Sequence, residues 1–76
     1  MDVVFPTMSE ENPGAEGVVS TWFVREGEQV AAGQLLAEVQ MDKVAREIPA
    51  PVAGTVHLHA PEEAVVVQGT VIATVD

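Results

Sequence analysis

Short apolar runs, interrupted every few residues by glycine or proline, set the character of this chain. Pro6, Pro13, Pro49, Pro51 and Pro61, with Gly14, Gly17, Gly27, Gly33, Gly54 and Gly69, divide it in the manner of an all-β sandwich or barrel. The runs predict strands at Val3 to Phe5, Val18 to Val24, Leu35 to Met41, Val44 to Ile48, Thr55 to Ala60 and Val71 to Val75, with Val65 to Val67 as a further candidate. Alternation slips between Val19 and Trp22, the mark of a bulge. One segment admits a second reading. Gln34 to Ile48 contains no glycine or proline, and Ala37, Met41, Val44 and Ile48 recur at helical spacing, so periodicity alone allows an amphipathic helix pairing Lys43 with Glu47.

An internal repeat speaks against the helix. Gly17, Val18, Val19 correspond to Gly54, Thr55, Val56, and the run Gly33 to Val39 corresponds to Gly69 to Val75, with offsets of 37 and then 36 residues. The second half therefore lacks one residue between its two glycines. Its closing run is rich in β-branched residues and reads as a strand, so Leu35 to Val39 should be one too. Two units that cannot bury an apolar face singly pack face to face, which suggests a quasi-twofold sandwich. The link between halves then becomes a hairpin with its tip at Met41, Asp42, Lys43, Val44, where aspartate is a natural turn former.

Lys43 is the only lysine of the 76 residues. A surface lysine is ordinarily a hydrated charge without a task. Uniqueness, midpoint position and the symmetry around it raise Lys43 above that reading, because a lysine-directed modification would have one target.

Composition bounds the rest. A chain of 76 residues forms one domain, residues 1–76, with a marginal core and no room for a deep catalytic cleft. It has no cysteine and is 47% hydrophobic, so stability must come from apolar packing. Twelve acids against Arg25, Lys43 and Arg46 give a net charge of -9, which disfavours nucleic acid and anionic membrane surfaces. No run approaches the roughly 20 apolar residues that span a bilayer. Residues 1–11 lack a basic region and a small-residue cleavage site, unlike a signal or transit peptide. A cytoplasmic chain is expected, and a processed mitochondrial one would have the same character.

The residues resemble the lipoyl domain of the acyltransferase component of 2-oxo acid dehydrogenase complexes, within the biotinyl/lipoyl domain family, over nearly the whole chain. The likeness rests on Phe5, Pro6, Thr7, Met8, then Glu16, Gly17, Val18, Val19, Trp22, Val24, Glu26, Gly27, Glu28, Val30 and Gly33. Leu36, Ala37, Glu38, Val39 lead into Asp42 and Lys43, and Glu47, Ile48, Pro49, Ala50, Pro51, Val52, Ala53, Gly54 continue it. The resemblance implies a flattened barrel or sandwich of two four-stranded antiparallel sheets. It makes Lys43 the attachment point of lipoate (N6-lipoyllysine), joined by a lipoate ligase or lipoyltransferase, with Asp42, Met41 and Val44 as the neighbours read during modification. Modification would remove one positive charge, taking the net charge from -9 to -10.

By the same resemblance the domain is a swinging-arm carrier and no catalyst. Its arm is reductively acylated by a thiamine-diphosphate-dependent 2-oxo acid dehydrogenase, delivers the acyl group to the acyltransferase core, and is reoxidised by dihydrolipoamide dehydrogenase. The loop between the first two strands lies near the lipoyl turn in the family. Here it is Ser9 to Ala15, an ordinary polar connection by default, and Glu10, Glu11 and Glu16 are the candidates for partner choice. The isolated domain is expected to be monomeric, cut from a longer acyltransferase or free-standing. Two departures stand out: Gln40 and Met41 replace the family's usual Glu and Thr, and Glu62, Glu63, Ala64 replace the glycine turn opposite Gly27.

A biotin carrier domain is the second reading. It shares the fold and the hairpin lysine, but that lysine is flanked by methionine on both sides, whereas here Asp42 and Val44 are the neighbours. The lipoylated glycine-cleavage carrier is longer, and an unmodified structural module of the same fold would need no lysine at the tip. His57 and His59 share a face of a strand, with Val56, Leu58 and Ala60 inward. Without a third ligand they read as two solvent-facing histidines and no metal site. Trp22 and Phe23 read as packing residues, Met8 and Met41 as gap fillers. No nucleophile with a base, phosphate loop or carboxylate pair points to catalysis.

Overall fold

The structure, a computed structural model, describes all residues 1–76 and contains only strands. They are β1 (Asp2–Val4), β2 (Glu16–Trp22), β3 (Gln29–Val30), β4 (Leu35–Met41), β5 (Val44–Pro49), β6 (Gly54–Leu58), β7 (Val65–Val67) and β8 (Val71–Val75). Two four-stranded antiparallel sheets form, in the orders β1-β8-β6-β3 and β5-β4-β2-β7. Their inner faces enclose one core of Val3, Phe5, Val19, Val24, Val30, Leu36, Ala37, Val39, Met41, Ile48, Ala50, Val56, Ala60, Ile72, Ala73 and Val75. The all-β class and the paired four-stranded sheets agree with the sequence expectation. The helical alternative over Gln34 to Ile48 is replaced by the β4–β5 hairpin. Ala37, Met41 and Ile48 point inward from two different strands, and Val44, the fourth position of the apparent stripe, is 55% exposed.

A pseudo-twofold relation organises the backbone. Gly27 donates its N–H to the Val56 carbonyl at 2.8 Å, and Glu63 donates to the Val19 carbonyl at 2.7 Å. In return Val19 donates to Ala64 and Val56 to Glu28, each at 3.0 Å. The same relation sets Phe5 against Thr70 and Gly69 as Ala50 is set against Gln34 and Gly33. The halves thus brace each other's turns with the same hydrogen bonds.

Three features were less legible. Strand β3 has no signature in the sequence because two residues carry no period. Strands β1, β2 and β6 begin one or two residues earlier than the apolar runs do. Phe23, expected to pack, is 51% exposed, whereas Trp22 lies against the core and its indole Nε1–H donates to the Ala60 carbonyl at 2.9 Å. The bulge falls where the alternation slips: Val19 pairs with Val39 but Thr21 with Glu38, leaving Ser20 as the extra residue. That residue also accounts for the change of repeat offset from 37 to 36, since β6 pairs with β8 without a slip.

Candidate functional site

Strands β4 and β5 meet from Leu35↔Pro49 to Met41↔Val44, leaving only Asp42 and Lys43 to reverse the chain. Reversal this tight requires a left-handed residue, and Asp42 takes that role with φ 54°. Aspartate tolerates the conformation better than most side chains because its short polar group bonds locally. Met41, buried, closes the end of the core, whereas Asp42 to Glu47 are all exposed. Strand β5 is a sheet edge, so the tip carries Lys43 clear of the packed body. No carboxylate lies within ion-pairing distance of its amine, the only such pairs in the molecule being those of His57.

Of the other candidates, Glu16 reaches the level of the tip. Val18 pairs with Gln40 and Val19 with Val39, and continuing that antiparallel register by two residues brings Glu16 level with Asp42. Glu16 is exposed at the start of β2, and Glu10 and Glu11 are exposed in the loop that leads into it. The loop is fastened from below by Gln68, which follows β7. Its Oε1 accepts from the N–H of Met8 and of Ser9, each at 3.0 Å. Gln68 carried no prominence in the sequence. The available signal was that Gln68, before Gly69, stands in the repeat position of Ala32 before Gly33.

The histidines do not meet at the tip or at a cation site. His57 Nδ1 lies 2.8 Å from Glu26 and its Nε2 3.1 Å from Asp76, whereas His59 Nε2 lies 3.3 Å from the Thr74 hydroxyl. No group of three His, Asp or Glu side chains converges to hold a metal. Hydrogen bonding to Glu26, aided by the charge of Asp76, raises the His57 pKa; the Leu58 N–H and then His57 lower that of Glu26. The surface has no cavity that could enclose a substrate. What the arrangement offers chemically is one projecting primary amine.

The sequence model of the biotin/lipoyl family, described as "Biotin-requiring enzyme", matches residues 2–75. The chain belongs to this family. Membership implies a covalently attached lipoate or biotin, and the tip suits either group: an exposed amine on a two-residue turn, with no partner to displace. Among relatives, the dihydrolipoyllysine-residue acetyltransferase component of the pyruvate dehydrogenase complex of Staphylococcus aureus (strain Mu50 / ATCC 700699) is 48% identical over 56 residues, 74% of this chain. The component of the same name from Staphylococcus epidermidis (strain ATCC 35984) is 46% identical over 56 residues. The chain matches 12% of the length of each of these relatives.

Proposed function

We propose that the domain is a lipoyl carrier of a 2-oxo acid dehydrogenase complex, with lipoate amide-linked to Lys43. The observation that carries this reading is the single lysine of the chain standing second in an exposed two-residue hairpin turn, behind a left-handed Asp42. Lipoate is preferred over biotin because Asp42 and Val44, not methionines, flank the lysine. Met41, the nearest methionine, is buried beneath the turn instead of being presented beside Lys43.

When attached, the group supplies a strained disulfide that a carbanion on thiamine diphosphate opens to an acyl thioester and a free thiol. The chain's own part is mechanical and electrostatic. The β4–β5 hairpin holds the arm away from the body, and tethering raises its effective concentration at successive active sites. Asp42 fixes the turn, and Asp42, Met41 and Val44 shape what the lipoate ligase or lipoyltransferase reads. Glu10, Glu11 and Glu16 select the dehydrogenase. The acyltransferase core then takes the acyl group from the loaded arm, and dihydrolipoamide dehydrogenase reoxidises the dithiol that is left.

Incubation with lipoate ligase and ATP, followed by mass spectrometry, tests the reading. Wild type should gain one lipoyl group and Lys43→Arg none; gain of biotin from a biotin ligase instead would favour the second reading. Reductive acylation of the lipoylated domain by pyruvate-, 2-oxoglutarate- and branched-chain-specific dehydrogenases then identifies the substrate.

A further inference from the structure

Gln68 is the one buried polar side chain of the molecule, 9% exposed. Burying an amide is unfavourable unless its donors and acceptor are satisfied. Here they are all satisfied by a single loop. Its Oε1 accepts from the N–H groups of Met8 and Ser9 at 3.0 Å, and its Nε2 donates to the carbonyls of Ser9 (2.7 Å), Asn12 (3.2 Å) and Pro13 (3.3 Å). Its backbone N–H donates to the Ala15 carbonyl at 3.0 Å.

The pseudo-twofold provides an internal control. Gln68 stands where the first half has Ala32, which is exposed, so the fold itself does not require an amide at this place. What differs between the halves is the connection each position faces. Pro6 to Glu16 is eleven residues long, and its counterpart Pro51 to Ala53 is three. The amide is present only where the long loop is. Within that loop Glu10 to Gly14 are exposed, and Met8 and Ala15 alone pack against the core. Ahead of Glu16, which pairs with Val67 in the sheet, its remaining bonds are short-range: Asn12 N–H to Ser9 Oγ, Gly14 N–H to Asn12 Oδ1, and Ala15 N–H to the Asn12 carbonyl.

We propose that Gln68 is a positioning residue for partner recognition: its amide holds residues 8–15 in the one shape that docks with the acylating dehydrogenase beside the Lys43 tip. The proposal rests on the carrier reading of the preceding subsection. An unfastened loop of this length loses backbone freedom on docking. Gln68 removes part of that cost beforehand, so its loss weakens association and spares the chemical step.

The test uses the lipoylated domain and whichever of the three dehydrogenases acylates it. Gln68→Met keeps the side-chain length and removes every side-chain hydrogen bond to the loop. It should be lipoylated at the wild-type rate, and should show a KM for reductive acylation raised about tenfold with kcat unchanged. An unchanged KM in a folded Gln68→Met domain overturns the proposal and leaves the carrier reading intact. Failure of all three enzymes to acylate the lipoylated wild type overturns both. A measurement on wild type alone guards against a variant that does not fold. Titrating the dehydrogenase into the isotope-labelled domain should perturb the amide signals of residues 8–15 and the Gln68 side-chain amide together with those of 42–44. A loop that stays silent while the tip responds overturns the proposal.

Discussion

Glu63 stands where the pseudo-twofold places Gly27, and both are left-handed, with φ of 69° and 81°. The absent glycine in the second half therefore left the turn geometry unchanged, and Glu63 adopts a conformation that L-residues disfavour. Glu62 supports it by accepting the Trp22 N–H at 3.1 Å. A left-handed non-glycine residue costs about 1–2 kcal/mol, against the roughly 0.5–1 kcal/mol that glycine loses through unfolded-state freedom. Glu63→Gly should stabilise the domain by up to about 1 kcal/mol, and Gly27→Ala, which meets nothing within 4 Å, should destabilise it by a similar amount. Urea midpoints at constant slope measure both. A destabilised Glu63→Gly would show that its side chain matters more than its backbone.

Gly17 tests a different constraint, that of space. A methyl group there would run into the Phe5 ring and lie 2.7 Å from the Gln40 carbonyl, and Phe5 is wholly buried. Gly17→Ala should cost about 1–3 kcal/mol by overpacking. Gly14→Ala, whose new methyl would have only Asn12 Oδ1 at 3.7 Å nearby, should be neutral within about 0.5 kcal/mol. Equal effects at both positions in chemical denaturation would contradict the close approach of β4 to β2.

These glycines show why so much of the fold was legible. Gly17 and Gly54 both sit beneath a neighbouring backbone carbonyl, that of Gln40 in one half and Asp76 in the other. Repeated steric demands leave repeated residues, and the hairpin tip at Asp42 and Lys43 follows from counting between them. The extra residue of the first half could be counted too, and only the pairing of Thr21 with Glu38 identifies it as the Ser20 bulge. Gln68 and the Glu26, His57, Asp76 cluster were not legible. Each joins residues 19 to 60 positions apart by side-chain hydrogen bonds or ion pairs that impose no local period. The placement of Val30 in a strand likewise depends on its partner Gly54, not on its own neighbours.

The His57 cluster predicts a pH window. Glu26 raises the His57 pKa above its ordinary 6.5 through a hydrogen bond, and Asp76 adds to the effect. The stabilisation from His57 is therefore fully present below 6.5 and is lost as pH rises through the elevated folded value. Glu26 is lowered from 4.5, first by the Leu58 N–H and then by His57, so its contribution holds above 4.5 and fades as pH falls through the depressed folded value. Both contributions coexist between 4.5 and 6.5. The stability difference between wild type and His57→Gln should peak in that window and shrink well above it. Because the groups are exposed, salt on the order of 1 M should flatten the peak. A difference independent of pH from acid to alkaline conditions would dissociate the cluster from stability.

Asp42 lets shape and charge at the modification turn be separated. Its φ of 54° suits glycine and asparagine as well, so Asp42→Gly and Asp42→Asn keep the two-residue reversal, and both discard the carboxylate. Asp42→Val keeps neither: a β-branched residue at positive φ is strained by about 1–2 kcal/mol or more. The tip projects beyond the core, so the hairpin relieves that strain by rearranging the turn without unfolding the domain, and Lys43 is then presented differently. A single exposed charge contributes about 1 kcal/mol at most, roughly a fivefold effect on a binding constant. Lipoylation of Asp42→Gly and Asp42→Asn should therefore stay within about fivefold of wild type, and Asp42→Val should fall by tenfold or more with its thermal midpoint nearly unchanged. If Asn and Gly lose as much as Val in a ligase assay, the enzyme reads the carboxylate itself, and the left-handed turn serves only to present it.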